Sequence, residues 1–138
     1  MPAKADLKEK EFEENIPAIS RIVFMIGGFH DGCVTKTLIL DESQLRMEIN
    51  HFYQFDEPRH INEPQIGYSK DEILEEIRTA HIGKWKKRYV NNRILDGTQW
   101  ELEIYFSNGH KPVKIYGSND YPVNFDRIST LMKKLGDI

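Results

Sequence analysis

Residues 100–135, WELEIYFSNGHKPVKIYGSNDYPVNFDRISTLMKKL, decide the fold. Asn108-Gly109 is the favoured dipeptide of a two-residue type I′ hairpin loop, because both central positions need positive φ. With that loop in place, Leu102 faces Ile115, Ile104 faces Val113 and Trp100 faces Gly117, all on one side of the ribbon. On the other side Glu103 faces Lys114 and Glu101 faces Tyr116. A one-residue slip turns every apolar side chain to the wrong face, so the pattern specifies its own register. Gly117 opposite Trp100 leaves room for the indole. Beyond the hairpin, Phe125, Ile128, Leu131, Met132 and Leu135 recur at helical spacing, followed by Lys133-Lys134 and Gly136 as termination chemistry. Pro122 and Asn124 supply an opening and a cap for that helix.

Working back toward the N-terminus, Ser69-Lys70-Asp71-Glu72 is a capping box. Ile73, Leu74, Ile77 and Ala80 form the buried stripe of the helix it starts, and Gly83 is the expected stop. Gln54–Tyr68, with Pro58, Pro64 and Gly67, reads as a long loop. Leu45, Met47 and Ile49 alternate with Arg46, Glu48 and Asn50 as a half-buried strand. A turn at Glu42-Ser43 sets Leu40 against Leu45, Leu38 against Met47, and Lys36 against Ile49. Ile19–Ile26 is an apolar interior strand. A two-residue loop at Asp31-Gly32 pairs Met25 with Leu38, Val23 with Leu40 and Arg21 with Glu42, with a bulge at Gly27-Gly28. Residues 1–15 are a Lys/Glu-rich flexible tail or short surface helix. The expectation is one α+β domain over 16–138. It has a mostly antiparallel sheet of about five strands in the order β-β-β-α-β-β-α, with two helices on one face.

The C-terminal pattern resembles one found in small uncharacterised bacterial proteins. Trp100, Leu102, Ile104, Tyr105, Gly109, Tyr116-Gly117-Ser118-Asn119, Tyr121-Pro122 and Asn124-Phe125-Asp126 carry the likeness. It covers about a quarter of the chain and implies a bacterial-type local structure without an activity.

At 138 residues and net charge −3, the chain has the size and balance of an ordinary globular domain. A single cysteine, Cys33, excludes an internal disulfide framework. No apolar stretch reaches membrane-span length, and the expected location is the cytoplasm.

Chemistry-bearing residues are sparse. Lys84-Trp85-Lys86-Lys87-Arg88-Tyr89, with Arg93, gathers five of the 19 basic residues, leaving 14 against 22 acidic ones elsewhere. Such a stretch contacts phosphates and stacks on bases, or docks a protein, or solvates an edge while helix-spaced Trp85 and Tyr89 pack inward. Gly117-Ser118-Asn119 precedes a helix and reads as an anion-binding corner or simply as a turn, with Asp120 opposing an anion. Phe29-His30-Asp31-Gly32-Cys33 collects an imidazole, a carboxylate and a thiol at a hairpin tip that offers no cleft for catalysis. The histidines at 30, 51, 60, 81 and 110 lack zinc-site spacings. No catalytic residue, metal or cofactor is expected. The leading expectation is a non-enzymatic module that binds another protein, with Tyr105 and Tyr116 on the outward hairpin face. The alternatives are nucleic-acid binding through Lys84–Arg93, and a small-ligand or enzyme pocket between sheet and helices.

Overall fold

A computed structural model describes residues 4–28, 32–52, 59–62, 65–93 and 97–136. The elements run α1 (Lys4–Asn15), β1 (Ile19–Gly28), β2 (Gly32–Ile39), β3 (Arg46–Phe52), β4 (Arg59–Asn62), α2 (Lys70–Thr79), β5 (Arg88–Val90), β6 (Thr98–Phe106), β7 (Val113–Ser118) and α3 (Phe125–Leu135). The strands form one sheet in the order β4-β3-β2-β1-β6-β7-β5. All pairs are antiparallel except β5 with β7. The sheet is therefore mixed, and larger than the five strands expected. Strand β4 lies inside the segment read as loop, and β5 comes from the basic stretch.

The β6–β7 register matches the expected one at every pair: Trp100 with Gly117, Leu102 with Ile115, Ile104 with Val113, Glu101 with Tyr116, and Glu103 with Lys114. The turn itself is not type I′. Gly109 alone adopts positive φ, at 84°, while the Asn108 Oδ1 accepts from the His110 amide at 3.1 Å. Register here follows the apolar face, and the turn adapts to it. The β2–β3 pairs Leu38 with Met47 and Lys36 with Ile49 also stand as expected.

The β1–β2 register does not. Leu38 faces Ile22 instead of Met25, and Arg21 faces Ile39 instead of Glu42. An offset of odd number exchanges the two faces of a strand. The ladder runs to Gly28 opposite Gly32, so the connection lies at 29–31, outside the described residues, and Gly27 pairs regularly with Cys33. The irregularity falls instead between Ile19 and Arg21, on the β6 side. The core explains the choice. With Ile22 and Phe24 inward, β1 meets Ile104 and Leu102 of β6 across the same face.

That face is covered by all three helices. Ile22, Phe24, Leu38, Met47, Ile49, Trp100, Leu102, Ile104 and Ile115 join Ile73, Leu74 and Ile77 of α2 and Phe125, Ile128, Leu131, Met132 and Leu135 of α3 in one buried cluster. The helix expected at the C-terminus thus buries the predicted stripe, although Asn124 makes no side-chain cap. Helix α2 begins with the complete capping box of Ser69 and Glu72. Its left-handed terminal residue is His81, at φ 52°, and not Gly83. Gly83 is buried, and a Cβ there would overlap Glu9 and Phe12 of α1. The segment read as tail or short helix carries α1, with Phe12 buried and set edge-on to Phe106. No helix among the described residues is long and apolar enough to cross a membrane.

Candidate functional site

One face of the sheet has no element packed over it among the described residues. Strand alternation places Arg21, Val23 and Met25 of β1 there, beside Thr35, Thr37 and Ile39 of β2. Glu101, Glu103 and Tyr105 of β6 adjoin them, followed by Lys114 and Tyr116 of β7 and by Arg88 of β5. The register turns these into rows. Met25 lies between Thr35 and Glu101, and Tyr116 continues that row to Arg88. The Arg88 guanidinium stands 5.8 Å from the Tyr116 ring centre, and the Lys114 ammonium 6.0 Å from that of Tyr105. Such cation–π placements hold flexible cations over rigid rings. At the β2–β3 end, Ile39 is buried opposite Arg46, which pairs with Glu48 at 3.0 Å. The face therefore has an apolar and aromatic centre with both signs of charge interspersed.

The fold also perturbs the ionisation of Tyr105. Its hydroxyl donates to Glu103 Oε1 at 2.8 Å. That bond, then burial, then the Glu103 charge raise the phenol's pKa above the ordinary 10.0, against a lowering from Arg21. Because the neutral phenol is the favoured form, the associated stability is present below the unfolded tyrosine pKa and is lost as pH climbs through the folded value. Glu103→Gln is expected to bring the Tyr105 pKa down toward the ordinary 10.0. A phenolate-absorbance titration, differenced against Tyr105→Phe, measures it; an unmoved curve rules out Glu103 as the cause.

The basic stretch is split by its own geometry. It is not a helix: residues 82–84 form a 3-10 turn and Arg88–Val90 a strand. Trp85 is buried, donating its indole N–H to Ala80 O at 3.1 Å, and Tyr89 packs 6.1 Å from Trp100. The inward packing stands, but not by helical spacing: Trp85 ends the 3-10 turn, and Tyr89 turns inward by alternation in β5. Arg88 turns to the open face, whereas Lys87 turns to a groove of about 670 Å³ between α1 and β7. Lys8, Lys87 and Lys111 rim that groove over Phe12 and Trp85. Those two are only 4% and 3% exposed, and Pro112, Val113 and Ile115 complete a largely apolar wall. Lys84, Lys86 and Arg93 are exposed.

Gly117 and Ser118 belong to β7, and Asn119 follows at φ 59°. The Asn119 amide donates to Thr98 O at 2.9 Å, and Ser118 O accepts from the Asn91 amide at 2.9 Å. Helix α3 starts only at Phe125, so these residues serve the sheet rather than a helix N-terminus. At the hairpin tip, Phe29, His30 and Asp31 lie outside the described residues; Cys33 is a free, half-buried thiol opposite Gly27. In Gln54–Tyr68, the segment expected to close a pocket, residues 54–58 and 63–64 also lie outside them. The covered sheet face carries the buried cluster, and a groove of about 860 Å³ opens at its edge, lined by Ile26 of β1, Thr98 of β6, Glu76 of α2, and Phe125 and Leu131 of α3.

A grouping that the sequence spacing did not reveal joins α1 to the turn after α2. Glu9, Glu13 and His81 bring one ligand atom each within 4.8 Å of one another. His81 Nδ1 and Glu9 Oε1 are 3.1 Å apart, across 72 positions of sequence. The only sequence signal was the four-residue spacing of Glu9 and Glu13, which puts both carboxylates on one helix face and is common on solvated helices.

No family model, curated protein or solved structure matches this chain.

Proposed function

We propose that this protein is a non-enzymatic recognition module that binds another protein through the uncovered face of its sheet. The carrying observation is that face: Val23 and Met25 at its centre, with Tyr105, Tyr116 and Arg88 beside them. Aromatic residues, Met and Arg are the types enriched where proteins meet. The interspersed Glu48, Glu101 and Glu103 break any continuous positive track of the kind a phosphate backbone requires. The division of Lys87 and Arg88 between two surfaces supports the same choice over nucleic acid.

Site-specific photocrosslinking tests the reading. A benzoyl-phenylalanine at position 105 or 116 is expected to trap the same protein band in cells, and one at position 123, which is 89% exposed on the helix side, to trap none. An adduct of twice the chain mass would identify the partner as a second copy. Adducts to nucleic acid, with binding that weakens steeply with salt and flattens when Lys86, Lys87 and Arg88 become Ala, would replace this reading with the nucleic-acid one. Equal labelling from all three positions would remove the face from consideration.

A further inference from the structure

We propose that Glu9, Glu13 and His81 form a divalent transition-metal site, of the class that takes Zn²⁺, clamping helix α1 onto the turn that ends α2. The site is independent of the open sheet face and lies among the helices.

The first argument is geometric. Glu9 and Glu13 stand one helical turn apart on α1 and project to the same side. His81 occupies the left-handed position directly after α2, which turns its imidazole back toward α1. Metal–oxygen and metal–nitrogen bonds of about 2.1 Å set neighbouring ligand atoms roughly 3.0–3.4 Å apart. The Glu9 Oε1 to His81 Nδ1 separation of 3.1 Å already matches one edge of such a polyhedron. The whole set, Glu13 included, lies within 4.8 Å.

The second argument is the state of Glu9. Its side chain is 9% exposed, and Oε2 is sealed from solvent with no hydrogen-bond partner. A buried carboxylate oxygen without a donor is costly. The adjacent cation does not relieve it, because Lys8 Nζ donates to Trp85 O at 2.6 Å. His81 reaches Oε1 alone. A metal ion on the His81 side neutralises the carboxylate as a whole, since its charge is shared by both oxygens. Close packing seals the other side, where a Cβ on Gly83 would overlap Oε2.

The donor set indicates the ion. One imidazole with two carboxylates suits zinc and its first-row neighbours better than the all-oxygen shells of calcium or magnesium. In the bound form His81 Nδ1 presents its lone pair and Nε2 keeps the proton. His81 is 46% exposed, which leaves the outer coordination positions to water.

The experiment is calorimetric titration of ZnCl₂ into the chelator-stripped full-length protein, with thermal unfolding of the same samples. Uptake of one equivalent and a rise in Tm are expected. Glu13→Gln and His81→Asn are each expected to weaken binding at least tenfold and to abolish the Tm rise. Asn is chosen because it tolerates the left-handed backbone at 81. His110→Asn, which disrupts the separate His110–Glu11 pair at 3.1 Å, is expected to bind zinc like the parent. Circular dichroism and metal-free Tm values matching the parent verify that the variants fold. Absence of a saturable one-to-one phase, or binding unaffected by either substitution, overturns the site.

Discussion

Replacing Trp100 with alanine is expected to destabilise the protein by about 3–5 kcal/mol, the range for truncating a large buried aromatic. Trp100 is fully buried on the helix-covered face. Its ring centre lies 4.7 Å from Phe125, 6.1 Å from Tyr89, 6.2 Å from Trp85 and 6.4 Å from Tyr121, the last nearly parallel. The indole N–H donates to Asp120 O at 2.9 Å. One side chain thus ties β6 to β5, to α3 and to the corner between β7 and α3. The substitution removes those contacts and leaves a carbonyl without its donor. Against a typical stability of about 5–15 kcal/mol, such a loss consumes a large share. Urea denaturation should show a lower midpoint at unchanged slope. A loss below about 1 kcal/mol would mean that the aromatic cluster relaxes around the gap.

Gly117→Ala is the second large effect, and its expected cost is about 3 kcal/mol, at the upper end for overpacking. An added Cβ would overlap three atoms of the Trp100 indole. The ring cannot retreat, because Phe125 and Tyr121 hold its other surroundings. The clash has a specific signature. In a Trp100→Leu background the same change should cost far less, giving a coupling of about 0.5–3 kcal/mol between the two positions. Additive costs would locate the damage in the β7 backbone instead. Chemical denaturation of the four proteins in this cycle supplies the answer.

The same pair shows what was readable from the chain. Trp100 opposite Gly117 followed from two-residue alternation and a turn signal, and the two residues pair in the sheet. Apolar periodicity likewise marked the α2 and α3 stripes, because burial of a continuous face is a local property of each segment. The β1–β2 register was not local. Both Val23/Met25 and Ile22/Phe24 are apolar, so the strand offers two acceptable faces, and contact with Leu102 and Ile104 of β6 selects between them. Strand β5 was hidden for another reason: Arg88-Tyr89-Val90 is short and charged, and its parallel partner β7 supplies the pairing. Tyr105 and Tyr116 were legible as outward residues, whereas Arg88 joined them only through that pairing. The Glu9–His81 contact depends on α1 docking beside Gly83, which no short spacing encodes.

The position of β1 has a consequence for biosynthesis. One of its edges is occupied by the neighbouring β2, but the other belongs to β6, about eighty residues downstream, so this seam pays the largest loop-closure cost in the sheet. A ribosome adding roughly 5–20 residues per second leaves an interval of about 4–16 s between the two strands. Throughout that interval Ile22 and Phe24 lack their β6 neighbours, and the nascent chain presents an unpaired strand edge of the kind that invites intermolecular pairing. The seam in the middle of the sheet thus waits longest for its second strand, and the growing polypeptide is most vulnerable at the strand that ends up paired on both edges.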